Sequence, residues 1–140
     1  MISDRVFMDT AFVVALLNPK DSLHEKANSY LNVVKKTREV WITEAVLLEI
    51  GNAFGASRRS DAADFIDRCF TTSNIHVVSV STALFHRALT FYRQRSDKEW
   101  GLTDCVSFVV MQEKGLIDAL THDIHFQQAG FRALLRDVVN

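Results

Sequence analysis

Four acids are conspicuous for the company they keep. Asp9 ends an apolar run, Glu49 shares a helical stripe with Ala45, Val46, Asn52 and Ala53, Asp104 opens an apolar helical segment, and Asp123 follows Leu116 to Leu120. A carboxylate in apolar surroundings needs a partner, and carboxylates brought together repel one another. No Lys or Arg within these motifs is placed to pair with them, so a bound cation is the economical resolution. A site of oxygen ligands favours Mg²⁺ or Mn²⁺ over zinc. Singly, each acid has a plainer explanation: Asp9 as a helix N-cap, Asp104 as a first-turn acid near free amides, Glu49 as the rim of an amphipathic helix. Only convergence at one place separates the two accounts.

Convergence depends on the elements that carry them. Val6, Phe7 and Met8 read as a short buried strand, and the helix after Asp9 carries Phe12, Val13, Leu16 and Leu17 to Asn18-Pro19. A second helix opens at Asp21-Ser22 and runs through Ala27, Tyr30, Leu31 and Val34, with Lys35, Lys36, Arg38 and Glu39 as its solvated end. Val40-Trp41-Ile42 is a strand, and Thr43 caps a helix from Glu44 to about Ala56. A turn at Arg58 to Asp61, a helix from Ala62 to about Phe70 and a strand from Ile75 to Val78 follow. Ser81 to Arg95 is helical by its period, with Leu84, Ala88, Leu89 and Tyr92 inward, and Ser96 to Glu99 is a loop. Thr103 is expected to cap a helix that runs to Glu113 and stops at Gly115. Leu116 to Leu120 and Phe131 to Leu135 supply the last strands.

Strands alternating with helices call for an α/β fold: three layers, with a mostly parallel central sheet of about five strands flanked by helices. Right-handed crossovers place the carboxyl ends of the strands on one edge. Asp9 and Asp123 end strands, Asp104 starts a buried helix and Glu49 lies one to two turns into a helix leaving the same edge, so all four can share one pocket.

Composition narrows the classes. At 140 residues, 48% hydrophobic and with 1 Pro and 5 Gly, residues 1–140 form one dense domain with little linker. Neither a membrane-length apolar run nor a signal peptide is evident, so a cytosolic protein is expected. Cys69 and Cys105 each lie alone in apolar helical patterns, as buried thiols. The net charge of −1 provides no global basic footprint, so contact with nucleic acid must be local or mediated by metal. Competing chemistries are poorly supported: no G-x-S-x-G elbow and no Gly-rich phosphate loop occur, and His122 with His125 is a weak zinc signal.

The motifs Phe7-Met8-Asp9-Thr10, Thr43-Glu44 leading to Leu48-Glu49-Ile50, Leu102-Thr103-Asp104-Cys105 and Ala119-Leu120-Thr121-His122-Asp123, followed by His125-Phe126 and Gly130-Phe131, together resemble a PIN-domain ribonuclease. The similarity covers nearly the whole chain and is greatest to VapC-type toxins of toxin-antitoxin pairs. It implies that Asp9, Glu49, Asp104 and Asp123 are the metal-binding catalytic acids and that Thr10 and Thr121 support the site. It further implies Mg²⁺ or Mn²⁺ as cofactor, RNA as substrate, an antitoxin as protein partner, and a homodimer. Two other readings keep the fold: a housekeeping PIN nuclease without antitoxin, and a catalytically inactive PIN-like protein-binding module.

Overall fold

A computed structural model describes residues 3–136. At its centre is β1 (Arg5–Met8), whose Val6, Phe7 and Met8 are all buried because the strand is covered on both faces and paired on both edges. Its neighbours are β2 (Glu39–Thr43) and β4 (Asp118–Leu120), with β3 (Ile75–Val78) and β5 (Arg132–Ala133) outside them, in the order β3-β2-β1-β4-β5. Every pairing is parallel. Met8 stands opposite Leu120, so the residues just beyond each strand, Asp9 and Thr121, come level at the carboxyl edge.

The helices are α1 (Thr10–Leu17), α2 (His24–Ser29), α3 (Leu31–Lys36), α4 (Glu44–Ala53), α5 (Arg59–Thr71), α6 (Thr82–Gln94), α7 (Leu102–Lys114) and α8 (Ile124–Gln128). Cys105 through Met111 of α7 are buried without interruption, as an apolar pattern on every side of a helix requires. Phe108 roots this helix in the core: its ring meets Trp100 and Phe126 edge-on at 5.0 Å and lies 5.7 Å from Phe131. Burying one such side chain is worth about 1.5–3 kcal/mol, so the start of α7 is firmly placed. Gly115 closes α7 with φ of 67°, a left-handed conformation that glycine adopts at no steric cost. Both Cys69 and Cys105 are buried free thiols. No described helix is long and apolar enough to cross a membrane.

Several boundaries differ from the sequence expectation. The second helix divides into α2 and α3 at Tyr30, where Asn28 and Ser29 are poor helix formers and the Tyr30 hydroxyl donates to the Leu134 carbonyl at 3.2 Å. Glu39 is not in a solvated end but starts β2, held by Arg5 at 2.8 Å and by Trp41 Nε1 at 2.9 Å. The turn before α5 is a short 3₁₀ segment, Ala56–Arg58, and α5 begins earlier than expected, at Arg59. The helix after β2 ends at Ala53. On α6 it is Phe91, and not Tyr92, that packs against the core, and Tyr92 is exposed. The cap of α7 is Gly101, not Thr103; Asp104 in the first turn reaches back to the Gly101 amide. Among the phenylalanines of the flanking helices, Phe65 is buried and Phe54 and Phe91 pack partly against the core, whereas Phe70 is exposed. The last two strands are shorter than expected, because Leu116 and Leu134 pack into the core from outside the ladder.

Thr43 caps α4 as read from sequence, and Ser81 caps α6 in the same way, their hydroxyls accepting from the Val46 and Leu84 amides at 3.2 and 3.1 Å. Ser81 is exposed, so its loss isolates the cap. Ser81→Ala should cost about 1 kcal/mol, and Ser81→Asp should restore it. Thermal melts check this as a fall of roughly 3–5 °C for the alanine variant alone.

Candidate active site

Asp9 follows β1 with extended backbone at the N-cap of α1, yet its side chain makes no capping bond to that helix. It is turned into the protein, 6% exposed, and accepts a hydrogen bond from Thr121 Oγ1 at 2.8 Å. The same hydroxyl accepts the Asp123 amide at 3.1 Å. One buried oxygen thereby joins the end of the central strand to the loop after β4. Asp123 in turn caps α8, accepting from the His125 amide at 2.9 Å.

Asp104 arrives from α7. Its Oδ2 accepts from the Gly101 amide at 3.1 Å and lies 3.0 Å from His125 Nδ1, which is also 3.4 Å from Asp123 Oδ1. Each of Asp104, Asp123 and His125 offers a ligand atom within 4.8 Å of the others. Repulsion from Asp104 and Asp123 reaches Asp9 as well, so these three acids form one electrostatic unit.

Glu49 stands apart from the compact group. The buried stripe of α4 is Val46, Leu47 and Ile50, which rotates Glu49 to the exposed side beside Leu48, contrary to the core-facing position expected. It stays at the rim of the site all the same, because Thr10 Oγ1 donates to Glu49 Oε1 at 2.6 Å. Thr10 and Thr121 thus each donate to one acid.

His125 was not singled out as a site residue by the sequence. Beyond its place in the quoted motif and in the zinc pairing with His122, its signal was its position two residues after Asp123, in the first turn of a helix leaving the same edge. The zinc pairing considered with His122 does not form: the clustered group includes His125 without His122, which is exposed.

Burial is the main force on Asp9 and lifts its pKa from 3.8 to about 7, with repulsion from Asp104 and Asp123 adding and the Thr121 hydroxyl and Thr10 amide opposing. Asp104 is raised as well, first by burial and then by Asp123, against the pull of His125 and the Gly101 amide. Carboxylates held this far from water, beside one another, are a donor set that fits a hard divalent cation. The imidazole of His125 adds a nitrogen to what the sequence suggested was an all-oxygen set.

Residues 6–132 match the PIN domain, and the chain belongs to that family. It is 28% identical over 126 residues to the 23S rRNA-specific endonuclease VapC20 of Mycobacterium tuberculosis, covering 90% of this chain and 95% of that one. The crystal structure of M. tuberculosis VapC20, described as a sarcin-ricin loop cleaving toxin, superposes with a TM-score of 0.79 over 90% of this chain and 95% of that one, at 27% identity. VapBC2 from Rickettsia felis shares the fold at 14% identity, with a TM-score of 0.64 over 91% of this chain and 96% of that one.

The raised pKa of Asp9 sets a pH dependence in metal-free protein. The unfolded chain loses this proton near 3.8 and the folded chain near 7, so the folded state binds more protons in between and stability falls as pH rises across that window. Asp9→Asn should therefore gain on the wild type in EDTA as pH goes from 4 to 7, by at most about 4 kcal/mol. Millimolar Mn²⁺ at pH 7 should reverse the order by stabilising the wild type alone. Melting curves of both proteins check it; equal metal shifts would remove Asp9 from the ligands.

Proposed function

We propose that this chain is a metal-dependent endoribonuclease of the VapC type, hydrolysing RNA as the toxin of a toxin-antitoxin pair. The observation that carries this reading is the convergence of Asp9, Asp104 and Asp123 at the carboxyl edge of a PIN-domain sheet, with Asp9 buried and Asp104, Asp123 and His125 offering ligand atoms within 4.8 Å of one another. Asp9, Asp104 and Asp123 would hold one or two Mg²⁺ or Mn²⁺ ions, with Glu49 completing the site directly or through water. When bound, such ions lower the pKa of an attacking water and neutralise charge on the scissile phosphate.

The chain's own residues prepare the rest. Thr121 fixes the Asp9 carboxylate by a hydrogen bond to Oδ2. Thr10 orients Glu49 at the solvent rim, where a side chain can meet water and substrate together. His125 positions Asp104 and Asp123 against their mutual repulsion. Two divalent ions would turn a net charge of −1 into +3, so that RNA approach is no longer disfavoured. Residues 1–140 act as a single nuclease domain in the cytoplasm.

Incubation with total RNA, including 23S rRNA, in Mn²⁺ should release fragments with 5′-phosphate and 3′-hydroxyl ends, since water and not the ribose 2′-hydroxyl attacks. Asp9→Asn should lower the rate at least about 100-fold, beyond the usual loss for a residue supporting a ligand. End-mapping checks both; 2′,3′-cyclic phosphates, or equal cleavage by the two proteins, would overturn the mechanism.

For the protein partner, an apolar groove of about 780 Å³ runs between α4, α5, α6 and the start of α7, beside Glu49. Leu48 at 70% exposure, Phe70 at 59% and Phe85 at 43% line it, and it suits the apolar face of an antitoxin helix. A second copy of the chain completes a homodimer. Light scattering at micromolar concentration should give twice the chain mass, and a monomer would refute the pairing.

A further inference from the structure

The turn between α6 and α7 holds a cavity of about 490 Å³ beside the acidic site, lined by Arg93, Arg95, Lys98, Glu99, Trp100 and Gly101. Gly101 links the two places, since its amide is bonded to Asp104. We propose that this cavity is a subsite for an RNA backbone phosphate flanking the scissile bond, with Arg93 and Lys98 as its cations. The proposal rests on the ribonuclease reading and gives it a substrate-positioning surface.

The cavity is built on a fixed frame. Trp100 is nearly fully buried, its Nε1 donates to Gln128 Oε1 at 3.0 Å and its ring meets Phe108 at 5.0 Å. Arg95 lies over that ring at 4.9 Å and is forked onto Asp97 at 3.0 and 3.2 Å, so its charge is taken up within the turn. The Lys98 amide closes the turn onto the Arg95 carbonyl at 3.1 Å. A rigid turn loses little entropy when a ligand settles on it.

Charge selects the residues that do the binding. Arg5, Arg38, Arg58, Arg87 and Arg132 are each engaged by a carboxylate at 2.7–3.8 Å. Arg93 is exposed and forms no ion pair among the described residues, and Lys98 meets only Asp97, at 3.9 Å. Arg93 supplies uncommitted positive charge, and Lys98 a charge held only at the edge of reach by Asp97, next to a cluster of acids that would otherwise repel the strand. A phosphate there would be met by point charge and by the guanidinium fork, without reference to base identity.

The test is the double variant R93Q/K98Q, which keeps both side-chain stems, against R87Q, a control on the same helix whose arginine is tied to Glu113 at 2.7 Å. Binding of fluorescein-labelled single-stranded RNA is read by anisotropy in EDTA from 50 to 300 mM salt, and cleavage is read separately in Mn²⁺. Loss of two phosphate contacts should weaken RNA binding about tenfold near 150 mM salt and flatten the slope of log affinity against log salt by about 1.4. KM should rise in parallel with kcat within about twofold, and R87Q should match the wild type. Wild-type affinity and slope in the double variant, an equal loss in R87Q, or no RNA binding by the wild type would each overturn the subsite. A wild type that binds RNA with the expected difference between variants but cleaves nothing would instead refute the nuclease reading and leave the subsite standing.

Discussion

The hydrogen bond from Thr121 to Asp9 is the constraint on which the site depends. A carboxylate at the end of the central strand, cut off from water, is among the most costly groups a small protein can hold, and a single buried hydroxyl is its direct side-chain partner. That hydroxyl also takes the Asp123 amide, so the separation of two acids is set by one oxygen atom. The arrangement works only because the parallel register of β1 and β4 brings residues 9 and 121 level. Sheet pairing, which elsewhere only builds the core, here sets the spacing of charges.

The third acid is placed by a different kind of force. Asp104 sits where it does because α7 is buried along its length and pinned at Phe108, and because the free amides of the first turn favour a carboxylate there. Apolar packing thereby holds a charge in an unfavourable position, as shown by the raised pKa of Asp104. His125, 3.0 Å from Asp104, offsets part of that cost.

Much of this was legible in the chain. Apolar runs that end in an acid are readable as buried strands, and β3 matches its expected limits of Ile75 and Val78. Asp9 and Asp123 converge because topology sends strand ends to one edge, and Asp104 joins them from the first turn of α7. The rest was hidden for physical reasons. Glu49 shares its stripe with Val46, which is buried, but also with Asn52 and Ala53, which are exposed, so periodicity pointed the wrong way. The α7 cap was assigned to Thr103 because a hydroxyl is a better cap than glycine, whereas the carboxylate of Asp104 meets that need from inside the helix. Tyr92 and Phe91 are adjacent aromatics, and only packing decides which one enters. His125 has no meaning until Asp104, 21 residues earlier, is beside it.

Asp9 and Thr121 are 112 residues apart in sequence, yet they are direct partners. Contacts so distant form only after most of the chain has been made, because loop closure must precede any reward from pairing. A ribosome that has just extruded β1, β2 and β3 has produced a partial sheet whose central strand has one open edge and whose key acid has no companions. Until Asp104 and then the Thr121 to Asp123 loop emerge, the growing chain lacks an assembled site. For a protein read as attacking RNA, this ordering means that the ribosome making it meets the three acids apart, and the loop after β4 brings them together last.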